Sequence, residues 1–480
     1  MYNILTTSWL EDLAQQPSST AFRLLNPHYK EEYTNERFVF YNAQPVDQTH
    51  LNHLLFVLDY IDISRFFCLV ITNQQEVYDF FIRAGCSAEL DTSVKTSPGV
   101  LDPVQPLYYN PTMCPHAWAG LHLNPNGDTI PCCEYQGGVI PDGNIKDHNF
   151  DDILLSDYMS ALRQQFRNGV TPTGCRSCEQ REQLGLSSRR LLSTKKLGTI
   201  FGYINWEQEP SASTPKYFGG HIGNLCNLKC RICTPEYSSQ IAAEEIKYAN
   251  KTLINHNWNK GHNNFWDFLK HNNEIVSYEI LGGEPLLLPK NIELIDHLVS
   301  SGQAANCQFE VVTNGTQYPD ILDKATEFDR FKVTVSVDNI GKRFEYERKN
   351  AKWNQVTANI KKMIAANIDL SISLTVSALN VYYLPETVDW IEQQNLDYYI
   401  NVVEHPNEIS VKSLPLTVRN KVIERLEPNP TFNSLVEYIN DLGAADNSQL
   451  INYIRNKDLQ RGENLKDSHP ELAELLGYML

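Results

Sequence analysis

From residue 216 to about residue 403 the sequence alternates between short β-rich runs and amphipathic helical runs, and few folds satisfy that rhythm. The β-rich runs recur at 216–222, 275–281, 307–313, 331–337, 369–376 and 397–403. Helix-like segments fill the gaps at 239–249, 291–301, 319–326, 354–366 and 384–394. Each connection is long enough for the crossover that parallel pairing requires. Six such units predict an α/β fold, a partial (β/α)6 barrel over 216–415 whose ligands gather at the carboxyl ends of the strands.

A chain of 480 residues exceeds one ordinary hydrophobic core, so roughly two to four domains are expected. Residues 1–105 read strand, helix, strand, helix, with β-rich runs at 37–41 and 66–71 and amphipathic runs at 50–60 and 75–83. They predict a small N-terminal α/β domain of unknown role. Residues 106–185 are irregular and rich in Pro, Gly and Cys. Within them a hairpin is predicted where 119–123 and 129–132 flank the turn Asn124-Pro-Asn-Gly127, followed by a helix over 151–167. A linker over 186–215 and a polar, helical segment over 416–480, without recognisable chemistry, complete the plan.

No run of eighteen apolar residues exists, so nothing is expected to span a membrane. The first thirteen residues lack a basic leader followed by an apolar stretch, and cytoplasm is the expected location. A net charge of −17 repels phosphate backbones and argues against nucleic acid as a partner. The one basic cluster, Arg189-Arg190 with Lys195-Lys196, reads as a solvated helix face.

Eleven cysteines, an odd number, point to metal or cluster ligation rather than disulfides. Cys68, Cys86 and Cys307 lie apart in apolar stretches and read as buried thiols. The other eight form two groups. The first is Gly223-Asn-Leu-Cys226-Asn-Leu-Lys-Cys230-Arg-Ile-Cys233, on the loop after the first barrel strand. Soft thiolates suit zinc or an iron–sulfur cluster. Structural zinc wants four ligands, and no fourth Cys or His stands in a usual place, although a zinc site completed from elsewhere stays open. Three thiolates on a four-iron cube leave one iron open for a substrate.

This C-x3-C-x2-C loop resembles the signature of the radical S-adenosylmethionine (SAM) superfamily, and the resemblance covers roughly 216–405. Gly282-Gly283-Glu284-Pro285 follows strand two, where the family has its GGEP motif, and Thr313-Asn314-Gly315 closes strand three like the family's TNG. Ser336 and Asp338 end strand four, where members often contact the SAM ribose. Arg348 resembles the arginine that pairs with the SAM carboxylate in some relatives. The resemblance implies a TIM-like partial barrel of the radical SAM type, a [4Fe-4S] cluster on Cys226, Cys230 and Cys233, and SAM held by Gly282, Gly283, Glu284, Thr313, Asn314, Ser336, Asp338 and Arg348.

The second group is Cys114, then Gly127, then Cys132 with Cys133 beside it, and later Gly174-Cys175-Arg-Ser-Cys178. On chemistry alone zinc would suit Cys114, Cys132, Cys175 and Cys178 equally well. The spacing C-x12-G-x4-C with a later C-x2-C resembles the twitch domain, the shortened SPASM domain that binds an auxiliary [4Fe-4S] cluster. Gly143-Asn144-Ile145 and the helix carrying Leu162-Arg163 are similar to what lies between the cysteines of those domains. The glycine spacing favours Cys132 over Cys133. A twitch domain usually follows the barrel, whereas this one precedes it. The resemblance implies a radical SAM enzyme acting on a peptide, protein or small polar substrate, with two clusters and an electron donor such as flavodoxin or ferredoxin. A nucleotide- or RNA-modifying enzyme and a non-catalytic iron–sulfur scaffold are the alternatives.

Overall fold

The computed structural model describes residues 113–183, 188–195, 204, 206, 208–210, 215–249, 256, 258, 263–443 and 448–478, together with four short strands near the N-terminus. Those strands are β1 (Phe22–Arg23), β2 (Phe38–Asn42), β3 (Cys68–Thr72) and β4 (Ser87–Leu90), all parallel in the order β1-β2-β3-β4. β2 and β3 fall on the two β-rich runs of the sequence. The amphipathic runs at 50–60 and 75–83 lie outside the described residues.

Two compact units are present, one of residues 1–119, 134–137 and 154–213, the other of residues 120–133, 138–153 and 214–480. In the first, Ser156 caps the helix Asp157–Arg167 by accepting from the Met159 amide at 3.4 Å. That cap divides the single helix expected over 151–167 into Phe150–Leu154 and Asp157–Arg167. The freed Leu154 carbonyl accepts from the buried Arg163 guanidinium at 3.1 Å, which satisfies one backbone group at the break.

The second unit is organised by an eight-stranded sheet in the order β14-β13-β11-β10-β9-β7-β5-β6. Its members are β5 (Gly120–Leu123), β6 (Thr129–Ile130), β7 (Tyr217–His221), β9 (Ser277–Leu281), β10 (Gln308–Thr313), β11 (Arg330–Ser336), β13 (Asp369–Val376) and β14 (Asp397–Val402). A two-stranded ribbon pairs β8 (Lys229–Cys230) with β12 (Arg348–Lys349). The six strands anticipated from the rhythm are present and parallel, and the sheet stays open. The predicted hairpin is β5 and β6, antiparallel across Asn124–Gly127. Its attachment was not anticipated: β5 lies parallel against β7 and lengthens the barrel sheet.

Alternation along the strands gives the sheet two unlike faces. On one, Phe218, Tyr278, Phe309 and Phe331 stand in register as an aromatic ladder, with Tyr278 and Phe331 stacked on either side of Phe309. These rings are buried and contribute about 2 kcal/mol each by removal from water. On the other face the same strands present Gly219, Glu279, Glu310 and Lys332 in register, with Ser371 and Ser373 beyond them.

Close approach of β5 to β7 depends on Gly220, at φ 138°. A Cβ there would lie 2.4 Å from the Leu123 amide nitrogen and 2.5 Å from its carbonyl oxygen. Gly220→Val should therefore strip the hairpin from the sheet, at a cost of about 2 kcal/mol or more. Thermal unfolding of the variant and faster amide exchange over 120–123 would report it, and an unchanged melting point would refute the packing argument.

Candidate active site

The loop that leaves β7 is held from both sides. On one side, the Glu284 amide donates to the Leu225 carbonyl at 2.8 Å, which lays the 282–285 turn against the cysteine loop. On the other, Asn227 accepts from the Asn314 side-chain amide at 2.9 Å and donates to Thr316 Oγ1 at 2.8 Å. The Glu284 carboxylate joins the two turns, accepting from Thr313 Oγ1 at 2.8 Å, the Asn314 amide at 2.7 Å and the Leu286 amide at 3.1 Å. Burial pushes Glu284 up to about 6, with these three donors pulling against it. Cys226 is fixed by its amide, which donates to Ser239 Oγ at 3.1 Å.

Gly283 is required by the loop itself. An added Cβ would lie 2.4 Å from the Leu225 carbonyl oxygen and 2.7 Å from Cys226 Cβ. Gly282 differs, since a Cβ there meets nothing nearer than 3.9 Å. The two glycines of the GGEP turn thus do separate work: one lets backbone approach backbone, the other leaves space at the strand ends.

Arg348 lies beside the second cysteine because β8 pairs Cys230 with it in the two-stranded ribbon. Its Nε and Nη2 bind Asp338 at 2.9 and 2.7 Å, and its Nη1 stands 3.9 Å from Cys230 Sγ. Asp338 also accepts from the Thr375 amide at 3.1 Å. Ser336 ends β11 half-buried on the polar face, in register with Ser373. Burial pushes all three thiols of the loop up, Cys230 to about 12, while Cys230 and Cys233 are raised further by their neighbouring thiols. Arg348 opposes that rise at every one of them. Iron binds the thiolate, so iron ligated here would have to displace the protons, and a fixed guanidinium would lower that cost.

Among the described residues, no three His, Cys, Asp or Glu side chains converge on the spacing of a single metal ion. Thiolates of a four-iron cube each bind a different iron and stand wider apart. Three buried or half-buried thiols on one loop, with a cation beside them, fit that donor set.

In the first unit, Cys114, Cys175 and Cys178 come together. Burial pushes Cys114 up to about 11, with Cys178 adding to the rise, and Cys175 is raised by burial and then by Cys114 and Cys178. Gly174 allows the close approach of segment 134–137: its carbonyl accepts from the Gln136 amide at 2.9 Å, and a Cβ would lie 2.6 Å from the Gly137 nitrogen. Arg163 ties this region together, donating to the Ala117 carbonyl at 2.9 Å and to Glu209 at 2.6 Å. Cys132 is buried and Cys133 exposed, both in the second unit.

Within the basic cluster Arg190 departs from the expected solvated role, while the side chains of Lys195 and Lys196 lie outside the described residues. Arg190 pairs with Glu182 and opposes the rise of both Cys114 and Cys175. His116 and Ser193 share a 2.7 Å hydrogen bond. The helix Arg189–Lys195 thus turns part of its polar face toward the thiols.

Two features were missed in the sequence. One is the polar sheet face, which strict alternation in 330–336 and 369–376 could have revealed. The other is the partnership of the C-terminal segment with the cysteine loop, which no local pattern encodes.

Residues 221–393 match the radical SAM superfamily, and residues 114–179 match the SPASM iron–sulfur cluster-binding domain. Comparison with curated proteins gives no match. Among solved structures, native anSMEcpe with bound AdoMet is similar at 16% identity and a TM-score of 0.34, covering 48% of this chain and 63% of that one. SuiB of Streptococcus suis bound to S-adenosylmethionine is similar at 15% identity and a TM-score of 0.33, covering 60% and 61%. TYW1 with a lysine–pyruvate adduct bound stands at 15% identity and a TM-score of 0.25, covering 42% and 70%. The chain therefore spans about six tenths of the length of the first two, and all three are distant likenesses.

The contrast between the two glycines is testable. Gly283→Ala should impair iron uptake by the loop, because the added carbon drives Leu225 and Cys226 apart from the turn. Gly282→Ala should leave iron uptake near that of the parent. Iron per chain after anaerobic reconstitution decides, and equal iron in the two variants would contradict the geometry.

Proposed function

Given that the chain belongs to the radical SAM superfamily through residues 221–393 and carries an iron–sulfur cluster-binding domain at 114–179, we propose an enzyme that cleaves SAM reductively to modify a polar substrate. In this reading Cys226, Cys230 and Cys233 hold a [4Fe-4S] cluster. SAM takes the neighbouring strand ends, with Gly282, Gly283, Glu284, Thr313, Asn314, Ser336, Asp338 and Arg348 around it. When bound, the cluster supplies one electron to the sulfonium, releasing methionine and a 5′-deoxyadenosyl radical that takes a hydrogen atom from the substrate.

The chain's own residues position and shield. The observation that carries the reading is the double tether of the cysteine loop: Glu284 joins the turns after β9 and β10, and both turns grip the loop. Such a tether would hold a cluster on the loop at a fixed distance from SAM at the strand ends, as transfer between bound groups requires. Arg348 keeps positive charge beside Cys230, and Asp338 holds that guanidinium in place.

The polar sheet face supports a substrate rich in hydrogen-bonding groups, in the class of a peptide, a protein segment or a small polar molecule. Thr334 donates to Glu310 at 3.1 Å and shares a 3.0 Å hydrogen bond with Ser371, while Glu279 accepts from Tyr217. Glu279 and Glu310 stand in register on neighbouring strands, an arrangement that disfavours a phosphate group.

Cys114, Cys175 and Cys178, with Cys132 assigned from the sequence spacing, are proposed to hold a second, fully ligated cluster for electron transfer. Reduced flavodoxin or ferredoxin is the proposed donor. The proposed division is 1–105, 106–185 for the twitch-like domain, a 186–215 linker, 216–415 for the barrel, and 416–480.

Reconstituted protein should carry about eight irons per chain. Replacing Cys226, Cys230 and Cys233 together by Ala should remove about half of them and abolish reductive release of 5′-deoxyadenosine from SAM. A triple variant that released it at the parent rate would overturn the reading.

A further inference from the structure

Arg231 sits between Cys230 and Cys233, yet its side chain is fully buried and turned toward the C-terminal segment. Its Nη2 binds Asp458 at 2.6 Å and Glu463 at 2.8 Å, its Nε donates to the Tyr346 carbonyl at 3.1 Å, and its guanidinium carbon lies 3.7 Å from the centre of the Tyr346 ring. Asp458 is itself saturated. One oxygen also accepts from Tyr346 Oη at 2.8 Å, and the other accepts from the Leu465 amide at 2.9 Å and Tyr478 Oη at 2.8 Å. Tyr453 of the same helix, Ser448–Arg461, donates to the Arg231 carbonyl.

The contacts continue on both sides of the loop. Glu463 accepts from Lys349 at 2.8 Å, and Lys349 belongs to β12, the strand paired with Cys230. Glu244, on the helix that follows the loop, accepts from Lys457 at 2.8 Å and from Arg461 at 2.8 and 2.9 Å. His469 meets Glu347 at 3.0 Å, and the Glu347 carbonyl accepts from the Arg231 amide at 2.8 Å. One C-terminal segment therefore grips the loop, its ribbon partner and the helix behind it. Buried charge of this kind is costly unless every partner is in place, which makes the arrangement sensitive to single changes.

We propose that the segment 448–478 is a clamp on the cysteine loop, with Arg231, Asp458 and Glu463 as positioning residues that retain the cluster held by Cys226, Cys230 and Cys233. This rests on the reading of those three cysteines as its ligands. Groups that orient metal ligands carry about ten- to a hundredfold in metal affinity, and these residues act on the ligands through the loop backbone.

The test uses the full chain, reconstituted anaerobically, reduced and challenged with a ferrous chelator. Iron that the Cys226, Cys230 and Cys233 triple Ala variant fails to bind is the share of the loop. Asp458→Asn should release that share about ten- to a hundredfold faster than the parent, and Glu463→Gln should do so by a smaller factor. Amide exchange over 226–233, measured before iron is added, should rise in both variants while exchange over β10 and β11 stays at the parent rate. Parent-like release and parent-like exchange in the loop would overturn the clamp. Equal acceleration across loop, β10 and β11 would overturn it as well, showing a general loss of stability instead. Should Asp458→Asn fail to fold, Glu463→Gln decides alone, at a side chain 14% exposed. A triple Ala variant that binds as much iron as the parent would defeat the ligand assignment, while loop exchange would still report on the clamp.

Discussion

The buried carboxylate of Glu284 is the interaction on which the candidate site depends. It takes two backbone amides and one hydroxyl, from turns that follow different strands, and so fixes the ends of β9 and β10 against each other. Its own amide reaches Leu225, which extends the same constraint to the cysteine loop. Without the carboxylate, two buried N–H groups and a hydroxyl would lose their acceptor, at about 1–3 kcal/mol each. A side chain of modest size thereby sets the geometry of three separate chain segments, and burial makes it hard to replace.

A parallel sheet is ordinarily apolar on both faces because helices cover both. Here Leu370, Ile372, Leu374 and Val376 alternate with Asp369, Ser371, Ser373 and Thr375 along β13, and the neighbouring strands keep the same division. The aromatic face supplies the cohesion. The polar face contributes less to it: Glu279, Glu310 and Lys332 stand half-buried there, while the hydroxyls of Thr334, Ser371 and Ser373 are buried among them. A sheet built this way gives up apolar burial on one side, the side proposed above for the substrate.

The six strands of the barrel and most of its helical segments were legible because hydrophobic periodicity is a local signal, and the bounds fall within a residue or two of the expected ones. However, 320–327 is a 3-10 helix, and the helices Asn263–His271 and Gly341–Glu347 were not anticipated. The hairpin was legible from Asn124-Pro-Asn-Gly127. Where pairing or packing depends on distant segments, the sequence was silent. Nothing local to 120–123 announces β7 as its partner, and nothing in the helix Ser448–Arg461 announces Arg231. Gly283 was expected only as one of the residues around SAM, whereas the atoms an added Cβ would meet there belong to Leu225 and Cys226. The positions of the thiols were marked by spacing, but the guanidiniums of Arg348 and Arg190 beside them come from tertiary structure.

The addition of β5 to β7 gives the chain an order of assembly. On the ribosome, Leu123 is made roughly ninety residues before Tyr217. At about 5–20 residues per second the hairpin waits some 5–20 s, by the same rough measure, for the strand that completes it. Until then the β5 backbone that will face β7 can be satisfied only by water. Nascent chains halted before residue 217 would present that edge to one another, so translation pauses in this interval should favour intermolecular pairing. The same sheet contact that stabilises the finished protein is thus a hazard during synthesis.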